Sequence, residues 1–425
     1  MDYDIIVIGG GASGMTAAIF AAACGARVCV IEHNDRVGRK LLSTGNGKCN
    51  LTNINISREC YNSSSESDFY GVIQNFTPND LISFMASIGI YTRNKSGYVY
   101  PFSEQASSVL DGLRAEMQRL CVTEEVSSRV RSCRKTGDSF EVITESCKYV
   151  CRSLILAAGS KAAPKTGSDG SGYKLAKAFG HEIVEAVPSL VQLKCHGVLF
   201  KELHGVRTEA ELTLTAGGRT VCRERGELQL TDYGISGIPV FQLSGRTKRL
   251  LDAGEKPAVH IDFCPDYTET ELNGMLRSMF GHGKESGLTA ALAGLLNKKI
   301  ANVIIKECAL RPSALCKEIN DGMITRVASK IKKFTVTPYD TNGFENAQVC
   351  GGGVDLDGIN MSTMESLKVK GLYFAGEMLD VDGRCGGYNL HWAFASGRLA
   401  GIKAAEQMIT ADGIKPRRIY AESML

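Results

Sequence analysis

Apolar and polar positions follow two rhythms along this chain, one of period two and one near 3.6. Ile5 to Ile8 is a short apolar run ending in glycines, Met15 to Ala23 is alanine-rich with helical character, and Arg27 to Ile31 is a second β-branched run. The chain therefore opens as strand, helix, strand. Arg36 to Asn53, rich in Gly, Asn, Ser and Thr, reads as a long ordered loop of the kind compact domains keep for function. From Pro78 the period turns helical through Leu81, Phe84, Met85 and Ile88, and Ala106 to Leu120 is a second amphipathic helix. Phe140 to Ile143 and Tyr149 to Cys151 read as a hairpin feeding a separate buried strand, Leu154 to Ala157, and Gly172 to Phe179 resumes as helix.

After Pro188 short alternating strands take over, clearest at Val191 to Cys195, Ala210 to Thr215 and Glu227 to Thr231, which predicts a small antiparallel β domain. Thr268 to roughly Lys330 is helical throughout, Phe334 to Thr337 is a return strand, and from Gly351 the glycine-rich α/β character comes back. Lys415 to Arg418 read as a solvated tail.

With 425 residues and 44% hydrophobic content, the chain has material for two or three packed domains. Lys+Arg 49 against Asp+Glu 46 leaves a formal charge of only +3, too small for any global electrostatic claim about nucleic acid or anionic membranes. The 15 cysteines, without a CxxC pair or secretory leader, favour a reducing cytoplasm over a disulfide framework, and no metal site is expected. The N-terminal apolar run opens with Asp2 and Asp4 and is cut by Gly9, Gly10, Gly11 and Ser13, so it is neither signal nor anchor. No membrane contact is expected.

Gly9, Gly11 and Gly14 form GxGxxG between the first strand and the first helix, with Ala12 and Ser13 inside the turn. The first glycine makes the turn, the second lets backbone approach a pyrophosphate, and the third lets the helix pack on the strand. The helix N-terminus adds free N–H donors for the phosphates. Glu32 stands at the offset expected of an acid that accepts ribose hydroxyls. Leu154-Ile-Leu-Ala-Ala-Gly159 is a buried strand ending in a glycine turn, Gly167-Ser-Asp-Gly-Ser-Gly172 leads into a helix, and Gly371-Leu-Tyr-Phe-Ala-Gly-Glu377 delivers an acid beside a glycine. In these strings the chain resembles FAD enzymes of the glutathione-reductase and fumarate-reductase type, where such a Gly-Glu strand meets the ribityl chain.

Thr44-Gly-Asn-Gly-Lys-Cys-Asn-Leu-Thr-Asn53, Thr363-Met-Glu-Ser366, Gly376-Glu-Met-Leu-Asp-Val-Asp-Gly383 and Cys385-Gly-Gly-Tyr-Asn-Leu390 narrow this further. They resemble the bacterial YhiN/BaiN-like flavoproteins, also called NAD(P)/FAD-dependent or aminoacetone-oxidase-family enzymes. The resemblance implies an α/β fold: a discontinuous Rossmann-type FAD-binding domain over 1–188 and 340–425, a small antiparallel β domain over 189–265 and 331–339, and an inserted helical subdomain over 266–330. Asp232 departs from the pattern, since many members carry His there.

On the matched positions the resemblance puts FAD against Arg39, Lys40, Thr44, Gly45, Asn46, Gly47 and Asn50, against Ala158, Gly159, Gly376 and Glu377, and against Gly386, Gly387, Tyr388 and Asn389. Backbone donors at the last group would stabilise an anionic reduced flavin. Cys49, Cys385, Tyr388 and His391 are the candidates for a proton donor, with packed thiols and a hydrogen-bonded helix histidine as the alternative reading. Basic clusters at Arg246/Lys248/Arg249, Lys298/Lys299 and Lys332/Lys333 either hold phosphates or form solvated faces.

The function implied is FAD-dependent oxidoreduction, reducing an activated C=C bond in a bile-acid or steroid enone or in uridine of ribosomal RNA. An amine oxidase and a non-catalytic flavin sensor are the alternatives. With a single GxGxxG, either NAD(P)H visits the flavin as a transient donor or the donor is not a nicotinamide. Small molecule or ribosomal RNA is the partner, and no stable protein partner is implied.

Overall fold

The computed structural model describes residues 2–412, and the tail Lys415 to Arg418 lies outside them. Two compact units emerge, one running to Val187 and resuming at Val349, the other spanning Pro188–Gln348.

In the first unit β1 (Tyr3–Ile8), α1 (Ala12–Ala23) and β2 (Val28–Ile31) follow the apolar pattern. β1 pairs in parallel with β2 and with the strand Lys148–Leu156, which in turn pairs in parallel with Leu372–Phe374. Thr123–Glu125 extends the sheet beyond β2. Ile5 to Ile8 are all at most 5% exposed, as expected of a parallel strand covered on both faces. The sequence reading of two strands around Cys151 and Leu154 is corrected here: Lys148–Leu156 is continuous. Its first half pairs antiparallel with Ser139–Thr144 and its second half parallel with β1. Ser153, between the two halves, is buried within the sheet.

α1 buries 11 of its 12 residues, so it is a core helix rather than a surface one. The long helix Tyr388–Asp412 lies against it. A Cβ on Gly397 would stand 2.4 Å from the Ser13 carbonyl oxygen, and one on Gly401 2.3 Å from that of Ala17. Two glycines one turn apart therefore open the groove that lets the backbones meet.

The second unit is a closed six-stranded barrel in the order Leu193–His196, Gly234–Ser236, Arg219–Leu230, Arg207–Ala216, Ala258–Asp262, Phe334–Thr341. Closure removes the sheet edges. Along Arg207–Ala216 the buried residues alternate as Ala210, Leu212, Leu214 and Ala216. Its partner begins at Arg219, well before the Glu227 that periodicity marked, because its first half carries Arg and Glu toward solvent. There Arg225 pairs with Asp266 at 2.7 Å and Glu209 at 3.5 Å. The helix Ile238–Asp252, not expected from the pattern, opens on Pro239. Glu269–His282, Leu288–Leu292, Lys298–Glu307 and Asp321–Lys332 form the helical stretch, the first capped by Thr268 and Glu271 in a capping box. Leu272, Ile304 and Ile331 join Leu212 and Ile261 in one apolar cluster, so helices and barrel share a core.

Candidate functional site

The turn after β1 is held by backbone contacts that exclude side chains. Gly9 sits at φ +101°, and a Cβ there would lie 2.5 Å from the Ala157 carbonyl oxygen. A Cβ on Gly14 would lie 1.8 Å from the Gly9 carbonyl oxygen. Gly11 differs: it is the N-cap of α1, no side chain caps it, and a Cβ there meets nothing within 4 Å. The first amides of α1, at Ala12 and Ser13, thus have no intrahelical acceptor and stand beside open space, the arrangement that binds phosphate.

Glu32 closes this turn from the end of β2. Its Oε2 accepts from the Gly10 N–H at 2.8 Å, and its Oε1 accepts from Asn34 through backbone N–H and Nδ2, both at 2.8 Å. The carboxylate is 7% exposed. Arg39 is exposed and donates to Asn34 Oδ1 at 3.3 Å, while Lys40 pairs with Glu377 at 2.6 Å.

The loop after it winds through positive φ at Gly45, Asn46, Gly47 and Cys49, with Thr44 Oγ1 donating to the Leu41 carbonyl at 2.7 Å. Gly45, Asn46 and Gly47 are exposed, whereas Asn50 is buried. Asn50 Oδ1 has no hydrogen-bond partner among the described residues. A Cβ on Gly387 would come within 2.9 Å of that oxygen and 2.6 Å of the Thr52 carbonyl. Asn53 Nδ2 donates to the Gly386 carbonyl at 3.2 Å, tying the two loops together. Asn389 spends its amide on Gly383, accepting from its N–H and donating to its carbonyl, both at 2.8 Å, which leaves only its backbone for a ligand. Ala158 and Gly159, half-buried at the end of Lys148–Leu156, face the Ser168 and Gly172 loop. Gly376 is clamped from both sides, its N–H donating to Ser396 Oγ at 2.9 Å and its carbonyl accepting from Trp392 Nε1 at 3.1 Å. Neither Ser396 nor Trp392 was marked by any local motif.

The four proton-donor candidates fare differently. His391 is fully buried, with Nδ1 2.8 Å from Thr52 Oγ1 and Nε2 2.8 Å from the Phe76 carbonyl. A carbonyl only accepts, so Nε2 carries the hydrogen and Nδ1 accepts from the Thr52 hydroxyl; burial pulls the imidazole down to about 4. This environment matches the alternative reading of His391 as a hydrogen-bonded helix histidine, neutral and with both ring nitrogens engaged. Cys49 is likewise fully buried, and burial pushes its thiol up to about 12, as a packed thiol. Cys385 is half-buried and its thiol is also raised by burial. Tyr388 is 8% exposed and donates to the Asn55 carbonyl at 3.2 Å, its phenol raised mainly by burial. Cys385 and Tyr388 therefore stay protonated at neutral pH beside the Gly386–Gly387 turn.

Much of the basic charge picked out by sequence is spent internally. Lys332 pairs with Asp262 at 2.5 Å and donates to the Cys264 and Tyr267 carbonyls. Lys299 donates to the His204 carbonyl at 2.7 Å, and Lys248 pairs with Asp252 at 2.6 Å. Among the described residues no cluster of His, Cys, Asp and Glu could hold a metal, and no helix is long and apolar enough to cross a membrane.

Helix amides beside open space, an acid at the next strand end and a buried unsatisfied amide oxygen fit an extended dinucleotide, and the protein class is a flavoprotein oxidoreductase on a Rossmann FAD-binding fold. More narrowly, the chain belongs to the family described as HI0933-like protein Rossmann domain, which it matches over residues 3–403. This is the family its motifs resemble. It is 38% identical over 403 residues to a 3-dehydro-bile acid delta(4,6)-reductase of Clostridium scindens, covering 94% of this chain and 98% of that protein. It is 32% identical over 398 residues to a ribosomal RNA dihydrouridine synthase of Escherichia coli, covering 93% and 96%. Among solved structures, the FrdA subunit of E. coli quinol fumarate reductase aligns with a TM-score of 0.49 at 14% identity, covering 100% of this chain and 72% of that one.

Proposed function

We propose that this flavoprotein reduces a carbon–carbon double bond conjugated to a carbonyl, with a small steroid-like enone as its substrate class. The carrying observation is the pair of full-length relatives, at 38% and 32% identity, whose names describe the same chemistry on different molecules. A delta(4,6)-reductase and a dihydrouridine synthase both add two hydrogens across a ring double bond. The higher identity and the internally paired lysines favour the enone.

When bound and reduced, FAD supplies the hydride for such a reaction. The chain's own part is to hold the dinucleotide: the α1 amides at the pyrophosphate, Glu32 at the adenosine ribose, the Thr44–Asn50 and Gly386–Asn389 loops around the ring. The proton for the neighbouring carbon comes from Tyr388 Oη or Cys385 Sγ, each kept protonated by burial. NAD(P)H visits as electron donor rather than residing in a second domain.

The test is anaerobic mixing of the reduced holoenzyme with steroid and bile-acid enones, uridine-containing RNA and amine-derived imines, following flavin reoxidation. Enone-dependent reoxidation with a saturated product is expected, slowed by roughly 100-fold in Tyr388→Phe or Cys385→Ala. Oxidation of an amine by the oxidised enzyme, or no turnover with FAD retained, would replace the reading by an amine oxidase or a flavin sensor.

RNA is the second reading, favoured by one surface. Tyr91, Tyr98 and Phe102 are 72%, 36% and 61% exposed around the hairpin Thr92–Lys95 and Tyr98–Pro101. Lys48, Arg93 and Lys95 converge there on the single carboxylate of Glu104, leaving a positive balance beside the rings. Substituting Arg93→Glu with Lys95→Glu then abolishes RNA turnover and its salt dependence while sparing enone turnover.

A further inference from the structure

Besides Asn50 Oδ1, two side-chain oxygens in the first unit are buried and without a hydrogen-bond partner among the described residues: the hydroxyl of Tyr173, on the helix Ser171–Ala178, and Oδ1 of Asp380. Tyr173 is 5% exposed and Asp380 1%. Asp380 uses only its other oxygen, which accepts from the Ser64 N–H at 2.8 Å and from the Ser64 hydroxyl. Glu377 lies in the same surroundings, with Lys40 Nζ on one oxygen and the Cys350 N–H, at 3.2 Å, on the other. Burial first of all, and then the carboxylates of Glu377 and Asp380, keep the Tyr173 phenol protonated.

Two close approaches place this cluster. A Cβ on Gly172 would lie 3.4 Å from Met378 Cε, so the helix bearing Tyr173 starts against the segment that carries Glu377 and Asp380. A Cβ on Gly376 would lie 2.3 Å from Ser13 Oγ, so that segment abuts the first turn of α1, where the pyrophosphate belongs. A phenol that can donate and a carboxylate that can accept suit groups that do both, namely alcohols. In FAD, the group that follows the pyrophosphate on the flavin side is a chain of three free alcohols.

We propose that Tyr173 and Asp380 hold the ribityl chain of the cofactor, Tyr173 Oη donating to one chain hydroxyl and Asp380 Oδ1 accepting from another. The proposal rests on the FAD assignment and extends the site beyond the motif residues. Buried polar atoms left unmatched are costly, which gives the chain hydroxyls a large share in cofactor retention.

The test exchanges FAD in the holoenzyme against 2′-, 3′- and 4′-deoxyribityl FAD and compares wild type with Tyr173→Phe and Asp380→Asn, both near-isosteric. Each substitution is expected to weaken FAD by about 10-fold or more, and removing the partner hydroxyl from the cofactor to weaken wild type by a similar factor. In the matching variant the deoxy analogue then costs almost nothing more, because both halves of one bond are already gone. Penalties that multiply at all three positions, or variants that keep wild-type FAD affinity, overturn the proposal. Purified wild type that carries no FAD would overturn the flavoprotein assignment instead, a result visible before any exchange.

Discussion

Lys40 Nζ lies 2.6 Å from a carboxylate oxygen of Glu377, although 337 positions separate the two residues in the chain. The contact joins the loop after β2 to the end of the strand Leu372–Phe374, whose Gly376 abuts Ser13 in the first turn of α1. With side chains 22% and 19% exposed, it is screened enough to be modest and enclosed enough to matter.

A double-mutant cycle on Lys40→Met and Glu377→Gln, read by urea unfolding, should therefore give a coupling of about 1 kcal/mol. Strictly additive losses would mean that the pair contributes no net stability.

Glu32 anchors three donors, at Gly10 and twice at Asn34. Glu32→Ala strands them and removes the acceptor assigned to the adenosine ribose, so FAD affinity should fall by roughly 10- to 100-fold. Glu32→Arg should purify colourless. Flavin fluorescence released on dilution measures both, and retention equal to wild type would refute the assignment.

Gly397→Ala sets propensity against packing. Alanine is favoured over glycine in a helix by about 1 kcal/mol. Its methyl would nevertheless meet the Ser13 carbonyl at 2.4 Å. Net destabilisation of about 1–3 kcal/mol is expected from the forced separation of the helices. A raised melting temperature would show that they move apart freely.

His391 makes stability depend on pH with a definite sign. Its imidazole falls from an ordinary 6.5 to about 4 in the fold, so between these values the unfolded chain binds more protons and stability rises with pH. The contribution is complete above pH 6.5 and is lost as pH falls toward 4, by about 3 kcal/mol for a fully buried group. His181, also lowered to about 4, adds a parallel slope, so the difference between wild type and His391→Gln isolates one residue. Identical slopes in chemical denaturation between pH 4 and 6.5 would contradict the buried neutral assignment.

Several elements were legible because their signals are local. The Ile5–Ile8 run, the alanine-rich α1 and the glycines between them specify strand, turn and helix within a few residues of one another, and Glu32 follows from the length of that unit. Charged strands were harder to read. Arg219–Leu230 hides its length because its polar face pairs with Glu209 and Asp266, neither adjacent in sequence.

By itself, then, the sequence determined the dinucleotide turn, the acid that closes it and the family, since these depend on backbone conformation and spacing over short distances. Only the tertiary structure decided what each polar side chain does. The tautomer of His391 depends on Thr52 and Phe76, hundreds of residues upstream, and the unsatisfied oxygens of Tyr173 and Asp380 on an enclosure built by three separate segments. Burial and hydrogen-bond saturation are properties of everything packed around an atom, and no local pattern along the chain encodes them.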